Sequence, residues 1–173
     1  MKSKQNRAVF LDRDGVINVD KNYLYRIEEF EFSEGIFELL KKLQELGYLL
    51  IVVTNQSGIA RGYYKKDDFL KLTSWMVGEF KKKGIRIEKV YYCPHKPDEG
   101  CECRKPKSGM FKEAIKEFDI DPKLSWMIGD KLSDIKAAKN IGINNTILLS
   151  QTKNNLAKFQ ANSIYDIIKI INQ

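Results

Sequence analysis

The chain has 173 residues, of which 43% are hydrophobic and 31% are charged. This length and balance predict one globular domain with a real core, and they exclude an intrinsically disordered protein. No apolar run approaches the roughly 18–20 residues that span a bilayer, and the short apolar run before Asp12 does not make a signal peptide, so we expect a cytoplasmic protein without a membrane partner.

The net charge is +7, from 30 basic and 23 acidic side chains. Such an excess suits ligands that carry phosphate. Nucleic acid is disfavoured, because there is no basic stripe interleaved with aromatic residues. The densest basic cluster, Lys81–Lys83, is typical of the solvated end of a helix. Nothing indicates a coiled coil, and we expect a monomer.

Predicted strands and helices alternate along the chain. A first strand ends at Leu11 and an irregular stretch follows, from Ile17 to Phe32. The later elements, in chain order, are a helix at 34–46, a strand at 48–53, a helix at 65–83, a strand at 88–92, a helix at 107–118, a strand at 125–129, a helix at 132–140 and a strand at 146–149. This alternation predicts an α/β fold with a doubly wound, mainly parallel, Rossmann-like sheet. Residues 154–173 are expected to form a short helix pair or an edge element.

Polar residues follow all but the last of the predicted strands. Asp12 and Asp14 follow the first strand, residues 54–58 the second, Cys93 the third and residues 130–131 the fourth. Because ligands of doubly wound sheets bind at the carboxyl ends of the strands, we expect these groups to converge on one cleft.

The two acids after the first strand are separated by one residue. If the backbone stays extended there, Asp12 and Asp14 face the same side, and their mutual repulsion favours a bound cation. The alternative is an ordinary turn, in which Asp and Gly are common.

All three cysteines and the only histidine lie within eleven residues. Three thiolates and one imidazole match a closed tetrahedral zinc site made by Cys93, His95, Cys101 and Cys103. A disulfide with a spare thiol is the alternative, which the odd cysteine count disfavours. A zinc ion without an open coordination position is structural, and this loop leads directly to residues 104 and 105.

Several longer motifs resemble a known family. They are Phe10–Gly15 (FLDRDG), Val53–Gly62 (VTNQSGIARG), Tyr92–His95 (YCPH), Cys101–Pro106 (CECRKP) and Ile128–Lys131 (IGDK). Their order is that of the haloacid dehalogenase-like superfamily, and within it they resemble the D-glycero-D-manno-heptose 1,7-bisphosphate 7-phosphatases. The resemblance covers about residues 8–149 and implies one phosphatase domain over residues 1–173, with a zinc-stapled loop at 93–106 and no large cap domain.

The resemblance assigns catalytic roles. It implies that Asp12 is the nucleophile that forms an aspartyl-phosphate and that Asp14 is the general acid and base. Asp130 joins Asp12 and the Asp14 carbonyl in holding Mg²⁺, while Lys105 and Thr54 bind the transferred phosphoryl group.

The resemblance also implies which residues contact the substrate. They are Asp20, Lys21, Asn22, Tyr23, Asn55, Gln56, Ser57, Arg104 and Lys131. Arg104 suits the second phosphate because its guanidinium can bind bidentately. Two residues stay open. Asp134 either orients Lys105 or a metal-bound water or is an ordinary helix N-terminal acid. Arg61 either helps to bind the substrate or is a solvated loop charge, and the loop charge is the favoured interpretation.

The implied function is Mg²⁺-dependent hydrolysis of the C7 phosphate of a heptose 1,7-bisphosphate, which leaves the C1 phosphate in place for nucleotide-heptose biosynthesis. Histidinol-phosphate phosphatase is the nearest alternative. A polynucleotide 3′-phosphatase does not account for the cysteine cluster, and a non-catalytic zinc-stapled binding module does not account for the complete set of acids. The preferred C1 anomer stays open.

Overall fold

Six parallel strands form the central sheet of this computed structural model, which describes residues 3–173. The strands, in chain order, are β1 (Ala8–Leu11), β2 (Leu49–Asn55), β3 (Ile87–Cys93), β4 (Trp126–Gly129), β5 (Asn145–Leu149) and β6 (Phe159–Ala161). Their order across the sheet is β3-β2-β1-β4-β5-β6, and every neighbouring pair is parallel.

Five α-helices connect or follow these strands. They are α1 (Ile36–Glu45), α2 (Lys66–Lys82), α3 (Gly109–Phe118), α4 (Leu132–Asn140) and α5 (Ile164–Ile171). Short 3₁₀ turns at Ile27–Glu29 and Pro122–Leu124 add to the connections. The sequence-based bounds of the predicted helices and strands agree with the structure to within about two residues, the uncertainty expected at element ends.

Helices cover both faces of the sheet, as the doubly wound prediction requires. Alternate residues of β1 point to opposite faces: Val9 and Leu11 join the core under α1, α2 and α5, whereas Ala8 and Phe10 join the core under α3 and α4. Both cores are apolar, and β1, β2, β4 and β5 are buried on both sides, whereas the outer strands β3 and β6 are partly exposed.

The strand order reverses beside β1, and this reversal locates the site. From β1 the chain moves outward through β2 to β3, and it then returns to the other side of β1 as β4. The loops that leave β1 and β4 therefore diverge, and the crevice between their carboxyl ends is where ligands of such sheets bind. Asp12 and Asp130 are the residues that follow these two strands.

Two long connections lie over the carboxyl end of the sheet. Residues 12–35 join β1 to α1, and residues 94–108 join β3 to α3. Neither contains a helix beyond the 3₁₀ turn of the first, so within residues 3–173 neither connection inserts a large cap domain. Among residues 3–173, no helix is long and apolar enough to cross a membrane.

The C-terminal segment completes the sheet. Strand β6 is the edge strand beside β5, and α5 packs against α1. Of the two forms expected for residues 154–173, the edge element is the one observed, with one helix after it rather than a helix pair.

Phe80 anchors α2 in the core. It is fully buried, and its ring centroid lies 5.1 Å from that of Phe32 and 5.0 Å from that of Phe37. We expect Phe80→Ala to lower the free energy of unfolding by about 3–5 kcal/mol, because it leaves a cavity among these rings. Leu70→Ala, at an exposed position of the same helix, should change it by less than about 0.5 kcal/mol. Urea unfolding followed by circular dichroism measures both, and equal effects would contradict this packing.

Candidate active site

A buried ion pair lies at the end of β1. The Nζ of Lys105 is 3.0 Å from Oδ1 of Asp12 and 2.6 Å from Oδ1 of Asp134, and it donates to the carbonyl of Val53 at 2.8 Å. All three charged side chains are buried. A buried charge is stable only when it is paired, so the two carboxylates and the ammonium depend on one another.

Burial and the neighbouring charges together determine the pKa values in this cluster. Burial, and the nearby Asp134 carboxylate, raise the pKa of Asp12 well above its ordinary value, although Lys105 opposes them. Burial alone would lower the pKa of Lys105, but Asp12 and Asp134 outweigh it and raise the pKa. Lys105 therefore stays protonated, and Asp12 has excess negative surroundings that a further cation would relieve.

Asp130 supplies a second carboxylate beside Asp12. One oxygen each of Asp12, Asp130 and Asp134 lie within 4.8 Å of one another. Burial raises the pKa of Asp130, and its Oδ1 is buried without a hydrogen-bond partner among the described residues. An orphaned, buried carboxylate oxygen next to a second carboxylate fits a hard divalent cation, which prefers oxygen ligands.

The turn after β1 brings Asp130 close. Gly15 has a φ of +90°, and a Cβ there would lie 2.1 Å from Oδ2 of Asp130. Glycine is required for both reasons. The strand ends at Leu11 and a turn begins at Arg13, so the two acids do not share an extended strand as the spacing suggested.

Asp14 has its own set of donors. The guanidinium of Arg13, which is only 1% exposed, donates to both of its carboxylate oxygens, with Nη2 at 2.9 and 3.0 Å. Asn18 donates to Oδ1 at 3.0 Å and Gln56 to Oδ2 at 3.2 Å. Arg13 also bonds the carbonyl of Leu24, so the Asp14 side chain is fixed from three sides.

Asp134 has a combined role that the sequence left open. Its Oδ2 accepts the backbone N–H groups of Asp130 and Lys131 at 3.2 and 3.1 Å, and its Oδ1 pairs with Lys105. It thus caps the start of α4 and fixes Lys105 at once. Because both oxygens are already engaged, Asp134 is less suited than Asp130 to bind a metal directly.

A cleft of about 480 Å³ opens above this cluster. Nearly all of the residues that the sequence suggested for substrate contact line it. The lining includes Asp14, Asp20, Asn22, Tyr23, Asn55, Gln56, Ser57, Arg104, Lys105 and Lys131. Thr54 is buried beside them, where its Oγ1 accepts a hydrogen bond of 2.9 Å from Gln56.

One wall of the cleft has an unusual backbone. Asn22 and Tyr23 are consecutive residues with φ of 55° and 58°, in a backbone region that residues other than glycine rarely occupy. The Asp20 carboxylate accepts the backbone N–H of Asn22, and the Tyr23 ring meets that of Tyr63 edge-on at 4.7 Å. Strain of this kind concentrates at functional sites, which makes this wall a candidate for substrate contact.

Two residues differ from their sequence-based interpretation. The Nζ of Lys21 turns to Glu31 at 3.3 Å and to the carbonyl of Glu29 at 2.9 Å, and Lys21 does not line the cleft. Arg61 is exposed, as a loop charge would be, but it does line the cleft, with its Nε 3.3 Å from Oγ of Ser57.

Sequence reasoning missed four other lining residues. They are Tyr64, Pro97, Pro106 and Ser133. Pro106 ends the Cys101–Pro106 motif, and Tyr64, Pro97 and Ser133 each follow a motif by two positions. The signal that could have found Tyr64 is an aromatic residue so close to the motif, before the start of α2.

The cysteines and the histidine converge beside the cleft. Cys93 Sγ lies 3.4 Å from His95 Nδ1 and 3.6 Å from Cys101 Sγ, and His95 Nδ1 lies 3.3 Å from Cys103 Sγ. The four ligand atoms lie within 4.8 Å of one another, and all three cysteines are free thiols. Although burial opposes it, hydrogen bonds from the backbone N–H of Arg104 and from neighbouring thiols lower the pKa of Cys101 to about 7. This donor set is that of a tetrahedral structural zinc site.

Hydrogen bonds to backbone groups connect the cysteine–histidine cluster to the buried ion pair of Asp12 and Lys105. The side chain of Asn55 accepts the N–H of Lys105 at 3.0 Å and donates to its carbonyl at 3.2 Å. Arg104 donates to the carbonyl of His95 at 3.3 Å. The main chain that carries Arg104 and Lys105 is therefore held from β2 on one side and from the cysteine loop on the other.

The fold and site resemble those of known hydrolases. A family model described as HAD-hydrolase-like matches residues 102–166. The chain is 56% identical over 149 residues, 86% of each chain, to the D-glycero-alpha-D-manno-heptose-1,7-bisphosphate 7-phosphatase of Campylobacter jejuni. It is 46% identical over 177 residues to the D-glycero-beta-D-manno-heptose-1,7-bisphosphate 7-phosphatase of Pasteurella multocida, covering 95% of this chain and 96% of the relative.

A solved structure agrees with these relatives. The crystal structure of D,D-heptose 1,7-bisphosphate phosphatase from B. bronchiseptica, complexed with magnesium and phosphate, superimposes with a TM-score of 0.87. It is 26% identical in sequence, over 96% of this chain and 98% of that one. These relatives, together with the parallel sheet that carries carboxylates at its switch point, identify a haloacid dehalogenase-like phosphatase. Within that class, the chain belongs to the family of D-glycero-D-manno-heptose 1,7-bisphosphate 7-phosphatases.

The ion pairs of Lys105 generate a prediction. Lys105→Met removes the counter-charge of two buried carboxylates, so we expect phosphatase activity to fall at least about 100-fold and the free energy of unfolding to fall by about 3–5 kcal/mol. Lys107→Met is the matched control, since Lys107 is half exposed and pairs only with the exposed Glu102. Steady-state kinetics and chemical unfolding measure both. An active Lys105→Met enzyme of normal stability would contradict the role given to this cluster.

Proposed function

We propose that this protein is a Mg²⁺-dependent phosphatase that hydrolyses the C7 phosphate of D-glycero-D-manno-heptose 1,7-bisphosphate and leaves the C1 phosphate for nucleotide-heptose biosynthesis. The observation that carries the proposal is the buried Asp12–Lys105 pair at the switch point, beside the orphaned oxygen of Asp130. The names of the relatives supply the substrate.

Asp12 is the proposed nucleophile. Its carboxylate attacks the C7 phosphorus to form an aspartyl-phosphate, and the bond from phosphorus to the sugar oxygen breaks. Asp14 donates a proton to that oxygen as it leaves. Asp14 then takes a proton from water, which attacks phosphorus, releases inorganic phosphate and restores Asp12.

Mg²⁺ would be held by the carboxylates of Asp12 and Asp130 and the backbone carbonyl of Asp14. Bound there, it neutralises charge on the phosphoryl oxygens, which otherwise repel an anionic nucleophile. The Lys105 ammonium adds a second positive charge on the protein side of the same group. Thr54 donates its hydroxyl to a phosphoryl oxygen from its buried position at the end of β2.

The walls of the cleft bind the rest of the substrate. Asn22, Tyr23 and Ser57 line the part of the cleft between the loops after β1 and β2. Arg104, in the connection after β3, and Lys131, after β4, are the cations proposed for the C1 phosphate, because both line the cleft outside the buried ion pair. Lys21, which turns away from the cleft, has no part in this arrangement.

The cysteine loop is proposed to bind one structural Zn²⁺. Three thiolates and an imidazole leave no open coordination position, so the ion does not activate water. It fixes the loop whose end carries Arg104 and Lys105, and its loss impairs catalysis indirectly. We further propose that residues 1–173 act as one phosphatase domain; the monomeric state and the cytoplasmic location remain predictions.

Removal of the nucleophile tests the mechanism. We expect Asp12→Asn to lower kcat at least about 1,000-fold, because an amide cannot form the acyl-phosphate. The fold is retained, since Lys105 still pairs with Asp134. Asp67→Asn, an exposed acid in the first turn of α2, is the control. Phosphate release with Mg²⁺ is measured from both C1 anomers of the heptose bisphosphate, with histidinol phosphate and a 3′-phosphorylated oligonucleotide alongside. Preference for either of the last two would overturn the substrate assignment, and an active Asp12→Asn would overturn the mechanism.

Metal content tests the zinc proposal. We expect about one equivalent of zinc per chain by elemental analysis and a loss of most of it in Cys101→Ser, with a fall in activity that added Mg²⁺ does not restore. Glu102→Gln, which changes the residue between two of the cysteines, should keep both zinc and activity. Full activity in zinc-free protein would contradict the proposal.

A further inference from the structure

Gln56 bonds two of the groups proposed for catalysis. Its Nε2 lies 2.9 Å from Oγ1 of Thr54 and 3.2 Å from Oδ2 of Asp14. The side chain is only 3% exposed. One buried amide thus joins the residue at the end of β2 to the acid in the turn after β1.

Chemistry fixes the orientation of this amide. In its ionised form the Asp14 carboxylate only accepts hydrogen bonds, so the amide nitrogen is the group that faces it in that state. The amide oxygen then points the other way, where it accepts a hydrogen bond from the hydroxyl of Tyr64. Because Thr54 also accepts from the nitrogen of Gln56, its own hydroxyl proton is directed elsewhere and is free for a phosphoryl oxygen.

Tyr64 is built into its position. It is buried, its ring stacks on that of Tyr25 at 5.4 Å, and a Cβ at Gly58 would lie 2.1 Å from it. Glycine at position 58 therefore leaves the space that this ring needs. Burial raises the pKa of Tyr64 to about 12, so the hydroxyl remains a donor at neutral pH.

We infer that Tyr64 and Gln56 form a positioning pair for phosphoryl transfer: Tyr64 orients the Gln56 amide, and the amide aligns Asp14 as a general acid and directs the Thr54 hydroxyl. Neither residue touches the reacting atoms. The inference rests on the proposed role of Asp14, and it adds two residues to the group that controls proton delivery to the leaving group.

The dependence on leaving group distinguishes positioning from general support of the fold. A sugar or simple alkyl oxygen needs a proton as it departs, whereas p-nitrophenolate does not. We expect Tyr64→Phe to lower kcat/KM about tenfold for the heptose bisphosphate and for an alkyl phosphate, but less than about threefold for p-nitrophenyl phosphate. Misaligned proton transfer affects only the first two, whereas a misdirected Thr54 hydroxyl contributes the smaller loss that all three substrates share.

Matched variants make the test specific. Tyr25→Phe removes a hydroxyl from the other ring of the same stack and should retain wild-type kinetics. Gln56→Ala should reproduce the leaving-group selectivity without any change at Tyr64, so the test does not depend on the folding of one variant. In the Gln56→Ala background, Tyr64→Phe should have less than about a twofold further effect, since the two act through one contact.

Equal losses on the alkyl and aryl phosphates, with either variant, would overturn the inference, as would additive losses in the double variant. A wild-type enzyme that cleaves the alkyl and aryl phosphates but not the heptose bisphosphate would overturn the proposed substrate, while the same ratios still decide the role of the positioning pair.

Discussion

The Lys105 ammonium is the charge on which the site depends. It lies in the interior with two carboxylates and a carbonyl around it, and it is the buried counter-charge of both carboxylates. The cluster joins three separate parts of the chain: the end of β1, the loop before α3 and the first turn of α4. The catalytic charges therefore come together only when the sheet is folded.

The irregular loops are held by short polar contacts to this frame. Asn55 brackets the backbone of Lys105, Asp134 brackets the start of α4, and Arg13 and Asn18 fix Asp14. These contacts all lie at the carboxyl edge of the sheet. The two apolar cores make the sheet rigid, and the polar contacts at its carboxyl edge fix the loops that line the cleft.

Much of the fold could be predicted from the sequence, because the patterns of apolar residues indicate buried strands and helices and the glycines mark where helices end. The Cys93–Cys103 cluster and the acids after β1 and β4 were equally visible, since their chemistry depends on residue type and strand order. The direction of the Lys21 side chain and the position of Arg61 could not be predicted, because the sequence of an irregular loop does not determine where its side chains point. The interpretation of Asn55 as a substrate contact shows the same limit: it lines the cleft, but both atoms of its amide are bonded to the backbone of Lys105.

The absence of a large cap in residues 12–35 and 94–108 has a consequence for the fate of an acyl-phosphate. A site that closes under a lid can exclude water and hand its phosphoryl group to a second alcohol. This cleft is open to solvent at its mouth, so water can reach the site and accept the phosphoryl group. The architecture thus favours hydrolysis over phosphoryl exchange between sugar hydroxyls, and turnover need not wait for a domain to open.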